Sequence, residues 1–379
     1  MAQIYKLNIP TGQLNKSWLP DINQLDSSQQ KVLMHSFNSD LFVMGSAGTG
    51  KTILAKLKYD ALRRLGLKGK LVIYGNIFKS FLKSHIQDDI GGVVGSFELP
   101  RALANIRFNG NFNATAQRAA DWAENNRNIY DFLIIDEVQD LHEDHIIFCS
   151  KISKRLYLFG DNAQQFFEQG RTIEQIIGVL SRVGRNFGGN NVTEITKNYR
   201  NQPLVAKAAQ PFYAFSPSTF PAASPEPIPI IPNLFVSHNY SFKSALVEQV
   251  KSYIRSHAEN TSPTIGILTQ SISSLNFIRR EIFQRSNIEV IEINSDNAFS
   301  DARPVLMTMQ SSKGMEFDYV ILVDINYRNL KRTHTNNFDK IIFVAITRAR
   351  KSLSVFLLDN QAELLTKFSN AEFTVTNLR

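Results

Sequence analysis

LFVMGSAGTGKT (Leu41–Thr52), followed at once by ILAKLKYDALRRL (Ile53–Leu65), decides the fold. Four apolar residues of strand length run into a glycine-rich octapeptide, and the octapeptide runs into a segment with helical spacing of apolar residues. Glycines let the chain turn so that successive N–H groups face one point, and a helix N-terminus behind them adds the positive end of its dipole. Gly45, Ser46, Ala47, Gly48, Thr49, Gly50, Lys51 and Thr52 are therefore expected to cradle phosphates. Lys51 reaches the outer phosphates, and the Thr52 hydroxyl serves as a ligand for Mg2+.

A second run, YDFLIIDEVQDL (Tyr130–Leu141), reads as a buried parallel strand that delivers two carboxylates at its C-terminal edge. Asp136 is expected to hold magnesium, and Glu137 to orient and deprotonate a water molecule. Seven further apolar runs alternate with helical segments: 69–75, 155–161, 264–270, 288–294, 304–310, 318–324 and 353–359. The pattern predicts an α/β fold with parallel sheets. The proline-rich stretch 216–232 reads as a connector or small insertion.

The 379 residues, 43% hydrophobic and 20% charged, suffice for two domains with proper cores. The opening MAQIYKLNIPTGQ has no apolar segment behind a basic start, and no later run approaches the roughly 20 apolar residues that cross a bilayer, so a cytoplasmic protein without a membrane partner is expected. Cys149, the single cysteine, excludes a disulfide framework and a thiolate metal site, and reads as a buried thiol. A net charge of +8 favours a polyanionic partner, although the basic run 56–70 reads by itself as the solvated face of a helix. LHEDHIIF (Leu141–Phe148) places two histidines beside two acids, but its position after Asp140 reads as a polar helix start rather than a metal site.

Taken in order, the motifs resemble those of superfamily 1 helicases of the UvrD/Rep/PcrA group across nearly the whole chain. LDSSQ (Leu25–Gln29) is similar to the adenine-reading Q motif. DEVQD (Asp136–Asp140) resembles motif II, LFGDNAQQFF (Leu158–Phe167) motif III, KNYRN (Lys197–Asn201) motif IV, TMQSSKGMEFDYVIL (Thr308–Leu322) motif V and FVAITRAR (Phe343–Arg350) motif VI. The resemblance implies two RecA-like lobes, residues 1–197 and 198–379, with ATP and Mg2+ between them. It implies that Gln29 and Tyr199 hold adenine, Gln164 senses the γ-phosphate, Arg200 and Arg348 act as arginine fingers, and Glu316 binds the ribose. Amide, ring and guanidinium chemistry suit those roles. Lys313 and Gly314 are expected to shape the motif V turn close to the nucleotide.

The resemblance implies 3′-to-5′ movement on single-stranded DNA, and the chain departs from it in several places. Motif V has Gln310 where relatives have histidine. The segment 72–85 carries Asn76, Phe78 and Lys79 in place of the usual motif Ia residues, with Phe78 and Phe81 as candidates for base stacking. Gln169 and Gly170 occupy the place of an aromatic residue after motif III, leaving Phe166 and Phe167 nearer. About fifty residues before motif II and about a hundred between motifs IV and V leave no room for large accessory subdomains. Two other readings stand beside the DNA translocase: a nucleic-acid- or partner-regulated ATPase subunit of a defence or repair complex, which unwinds little itself and switches an effector protein such as a nuclease, and an RNA-directed motor.

Overall fold

The computed structural model describes residues 24–74, 90–108, 110–165, 167, 170–213, 230–238, 242–255, 264–286, 288, 290–292, 304–333, 337–369 and 371–378. The first half of the chain contributes β1 (Leu41–Gly45), β2 (Gly69–Ile73), β3 (Val93–Gly95), β4 (Tyr130–Asp136), β5 (Ser153–Gly160) and β6 (Val192–Ile195). They form one parallel sheet in the order β3-β2-β4-β5-β1-β6. The second half contributes β7 (Asn233–Ser237), β8 (Ile265–Thr269), β9 (Ile291–Glu292), β10 (Val305–Thr308), β11 (Phe317–Leu322), β12 (Ala349–Leu358) and β13 (Thr374–Leu378), also parallel, in the order β13-β7-β12-β11-β8-β10-β9. These are tandem RecA-like α/β lobes.

Among the described residues, six helices accompany the first sheet: α1 (Ser27–Met34), α2 (Lys51–Arg64), α3 (Glu98–Ala104), α4 (Phe112–Glu124), α5 (Glu143–Ile152) and α6 (Ile173–Arg182). After β6 come α7 (Pro203–Ala209), α8 (Lys243–Arg255), α9 (Ile272–Ile278), α10 (Tyr327–Thr333), α11 (Phe338–Ile346) and α12 (Ala362–Ser369). One apolar core runs from α1, α2 and β1 through α7 to α11 and β12, so it is common to both lobes. Two others cover the outer faces of the sheets, one under α4, α5 and α6 and one under α8 and α9. No helix among the described residues is long and apolar enough to cross a membrane.

Each of the nine strand-length runs read from the sequence contains a strand among the described residues, the run 288–294 only at Ile291–Glu292. Their apolar residues face cores on both sides of a parallel sheet, as β4 shows with Phe132, Leu133, Ile134 and Ile135 all buried. Cys149 is buried as expected, and burial pushes its thiol up to about 12. In the basic run 56–70, Arg63, Arg64 and Lys68 are exposed, as a solvated face requires, but Lys58 departs from that reading. Lys58 is 0% exposed and donates to the carbonyls of Leu33 and His35 (3.0 and 2.7 Å), capping the C-terminal end of α1. Its ammonium also lies over the rings of Phe37 and Tyr157.

A polar bolt fixes the first sheet at its N-terminal edge. Arg185 donates to both carboxylate oxygens of Asp40 (2.8 and 3.0 Å), to the Ser150 hydroxyl (3.1 Å) and to the carbonyls of Ser150 and Ser153 (2.5 Å each). Asp40 in turn accepts from the Leu156 amide (2.9 Å), joining β1, α5, β5 and the end of α6. Arg185→Ala leaves that carboxylate and those carbonyls without their cation, and is expected to cost on the order of 3 kcal/mol. A thermal melt checks it, and an unchanged midpoint would contradict the assignment.

Candidate active site

The segments that follow β1, β4 and β5 come together, with Thr52 bonded to Asp136 and Lys51 beside Asp161, and Lys313 and Arg348 of the second lobe reach them. Gly48 (φ +80°) and Gly50 (φ +87°) take the left-handed backbone that lets the loop after β1 wrap toward the start of α2. No side chain caps α2, so its first N–H groups remain directed at the loop. Lys51 folds back on the loop, donating to the carbonyls of Gly45 (2.7 Å) and Ser46 (3.0 Å), and stands 3.8 Å from Asp161. Thr49 bonds the Ser46 carbonyl (2.8 Å), while the buried Ser46 hydroxyl has no hydrogen-bond partner among the described residues.

Thr52 donates to Asp136 at 2.6 Å, joining the start of α2 to the end of β4. Burial, and then Glu137, push the Asp136 carboxyl up to about 7. A hydroxyl and a carboxylate are hard oxygen donors suited to magnesium, so these two residues fit the ion. Glu137 follows with φ +54°, a conformation rare for a residue with a side chain. Gln139 donates to its carboxylate and accepts from the Asp161 amide (3.1 Å). Burial opposes the charge on Glu137 too, but Lys313 and Lys51 outweigh it and hold the carboxyl below its ordinary value.

Lys313 belongs to the second lobe, in the turn between β10 and β11. It lies 2.6 Å from Asp140, whose carboxyl burial pushes up to about 7 against the pull of Lys313. Arg348, just after α11, is 1% exposed and also reaches across. It donates to Gln164 (3.1 Å), Met315 (3.2 Å), Val344 (2.9 Å) and Thr347 (3.3 Å), and burial draws its pKa down to about 9. Gln164 donates to Asp161 at 2.7 Å. Asp136, Glu137, Asp140 and Asp161 thus face Lys51 from their own lobe and Lys313 and Arg348 from the other.

The segment 197–201 ties the two lobes to the loop. Tyr199 donates its amide to the Gly48 carbonyl (2.8 Å), and Asn201 donates to the carbonyls of Thr347 (3.0 Å) and Ala349 (2.5 Å). A Cβ on Gly48 would lie 2.1 Å from the buried Asn198 side-chain oxygen. With φ at +80° as well, Gly48→Ala must displace the loop, and at least tenfold weaker binding of a fluorescent ATP analogue is expected. Binding within twofold of wild type would show that the loop tolerates the change.

Base and sugar candidates also gather here. Asp26 caps α1 in a capping box with Gln29, whose other amide end donates to Thr49 (3.0 Å), so both ends of that amide are engaged. Tyr199, 38% exposed, donates its hydroxyl to Asp26 (2.5 Å). Arg200 and Glu316 pair with each other (2.8 and 2.5 Å). Sequence reasoning missed Asp140, Asp161 and Asn198, and it missed the ion pairs of Lys313. Asp161 had a readable signal, an acid at the end of the apolar run 155–160. Asn76, Phe78, Lys79, Phe81, Phe166 and Gln169 lie outside the described residues. Phe167 is partly buried against the common core and packs on Tyr74 at 5.2 Å. His142 accepts from the Asp144 amide as the cap of α5, while His145 is buried against Phe97.

A model of the viral superfamily 1 RNA helicase core domain matches residues 41–281, more than half of the chain. The chain belongs to the superfamily 1 helicases. A UvrD-like helicase C-terminal domain model matches residues 305–356, which include the segments resembling motifs V and VI. Among solved structures, the C-terminal domain of a possible DNA helicase from Lactobacillus plantarum WCFS1 is similar over 48% of this chain and 99% of that one, with 16% identity and a TM-score of 0.37. No curated protein matches the chain. Membership in superfamily 1 implies a nucleic-acid helicase core that hydrolyses a nucleoside triphosphate.

Proposed function

We propose that this chain is an ATP-driven motor that moves 3′-to-5′ along single-stranded DNA, with ATP held between lobes formed by residues 1–197 and 198–379. The observation that carries the reading is the polar chain from Arg348 through Gln164 and Asp161 to Lys51, which crosses between the lobes at the mouth of the phosphate loop. A γ-phosphate held by Lys51 would be felt by both lobes at once. Its arrival would draw them together and its release would part them, which turns hydrolysis into a stroke.

In this reading the N–H groups from Ser46 to Thr52 take the phosphates, and Thr52 with Asp136 holds magnesium, which supplies neutralising charge when bound. Glu137 removes the proton of the attacking water, and Gln164 orients that water beside the γ-phosphate. Arg348 and Arg200 place guanidinium forks on the equatorial oxygens. Arg200 leaves Glu316 to do so and frees that carboxylate for the ribose hydroxyls. Gln29 and Tyr199 flank the base. The UvrD/Rep/PcrA motif order supports a DNA track and its polarity, and the charge of +8 supports a polyanionic track.

RNA is favoured by one observation, the viral RNA helicase description of the model that matches residues 41–281. Movement is tested by ATP-dependent displacement of streptavidin from end-biotinylated oligonucleotides. Faster clearance from the 5′ end than from the 3′ end is expected on DNA. The reverse order would overturn the polarity, and clearance from RNA alone would overturn the track. Hydrolysis indifferent to every nucleic acid would favour an ATPase regulated by a protein partner.

A further inference from the structure

The proposed chemistry uses Arg348 and Arg200 but assigns nothing to Lys313, although its side chain is only 9% exposed and lies between the two lobes. Its ammonium donates to the Gln164 carbonyl at 2.5 Å and stands 2.6 Å from Asp140 and 3.8 Å from Glu137, all three on the first lobe. Among the described residues, Asp140 and Glu137 have their ion pairs with Lys313 alone. Those two acids begin and end one short turn, Glu137 to Asp140, which is closed by a bond from the Asp140 amide to the Glu137 carbonyl (3.0 Å). The turn starts in the left-handed backbone of Glu137, a strained conformation that persists only where its surroundings impose it. On its own lobe Gln139 braces it; from the other lobe Lys313 does.

We infer that Lys313 is a positioning residue for Glu137: docked on Asp140 and the Gln164 carbonyl, it fixes the turn that aims Glu137 only when the two lobes are together. Hydrolysis is thereby tied to closure of the cleft, because a separated second lobe carries the brace away with it. The contact differs in kind from an arginine finger, since it acts on the base and leaves the phosphates to other groups. It rests on the ATP-hydrolysis reading above.

The test is steady-state ATP hydrolysis by the full chain with saturating single-stranded DNA, together with binding of a fluorescent non-hydrolysable ATP analogue. Lys313→Met is expected to lower kcat more than tenfold while KM and analogue affinity stay within threefold of wild type. Lys313→Arg, which keeps a cation on a long stem, is expected to recover at least a third of the lost rate. Asp140→Asn is expected to lower kcat at least fivefold, and the double variant Lys313→Met with Asp140→Asn to be no worse than Lys313→Met alone. If Lys313→Met does not fold, Asp140→Asn decides by the same split. Unchanged kcat in a folded variant, or a rise in KM with kcat retained, overturns the inference alone. An inactive wild type overturns the hydrolysis reading and the inference with it.

Discussion

Glu137→Gln is expected to lower ATP turnover by about three orders of magnitude while leaving nucleotide binding nearly intact. Glu137 stands directly after β4, buried, and its neighbours on both lobes keep its carboxyl below the ordinary value. A carboxylate in that place can accept a proton from water, and an isosteric amide cannot. Removal of a general base costs roughly 10²–10⁴ in rate. The amide fits the same space and can still accept from Gln139, so neither the turn nor the phosphate loop has cause to move. Single-turnover hydrolysis and titration with a fluorescent ATP analogue separate the two effects. Turnover within tenfold of wild type would assign the base elsewhere.

Arg348→Ala should be at least as severe and should also weaken the fold. An arginine finger is worth roughly 10³–10⁵ in rate, because its planar fork meets charge that spreads over phosphate oxygens in the transition state. Here the same guanidinium serves carbonyls of its own lobe and the side chain of Gln164 across the cleft. Truncation takes that donor from the Met315 carbonyl and from Gln164, while the Val344 carbonyl keeps the Thr347 hydroxyl, at about 1–3 kcal/mol for each acceptor left unsatisfied. Arg348→Lys keeps a charge but loses the fork, and is expected to recover stability better than turnover. Turnover by Arg348→Ala within tenfold of wild type, measured beside a thermal melt, would remove the residue from the chemistry and leave it a structural role.

The parts of the fold that the sequence made legible are those where one local rule dominates. The run 41–52 shows a strand, a glycine turn and a helix start in consecutive residues, and the acids after β4 lie where an apolar strand ends. Strands β3, β6 and β13 were passed over because they are short edge strands, and β13 is polar and largely exposed. β7 was passed over because it follows the prolines at 216–232 and is only partly buried. Lys58 did carry a signal: Leu54 and Leu62, four residues to either side on the same helical face, are both fully buried. The brace from Lys313 to Asp140 had none, since it joins residues far apart in the chain through a packing of two sheets that no local pattern encodes. Gln29 was read for its amide, but only the structure reveals that both ends of it hold the α1 cap and the phosphate loop.

The most direct test of an interlobe ATP motor is steady-state hydrolysis by the purified chain with and without single-stranded DNA, with Glu137→Gln and Arg348→Ala alongside. The account predicts hydrolysis that single strands stimulate at least tenfold and that both substitutions abolish, one acting from each lobe. Hydrolysis that persists in Arg348→Ala would contradict a site shared between the lobes, and hydrolysis unmoved by single strands would contradict the motor.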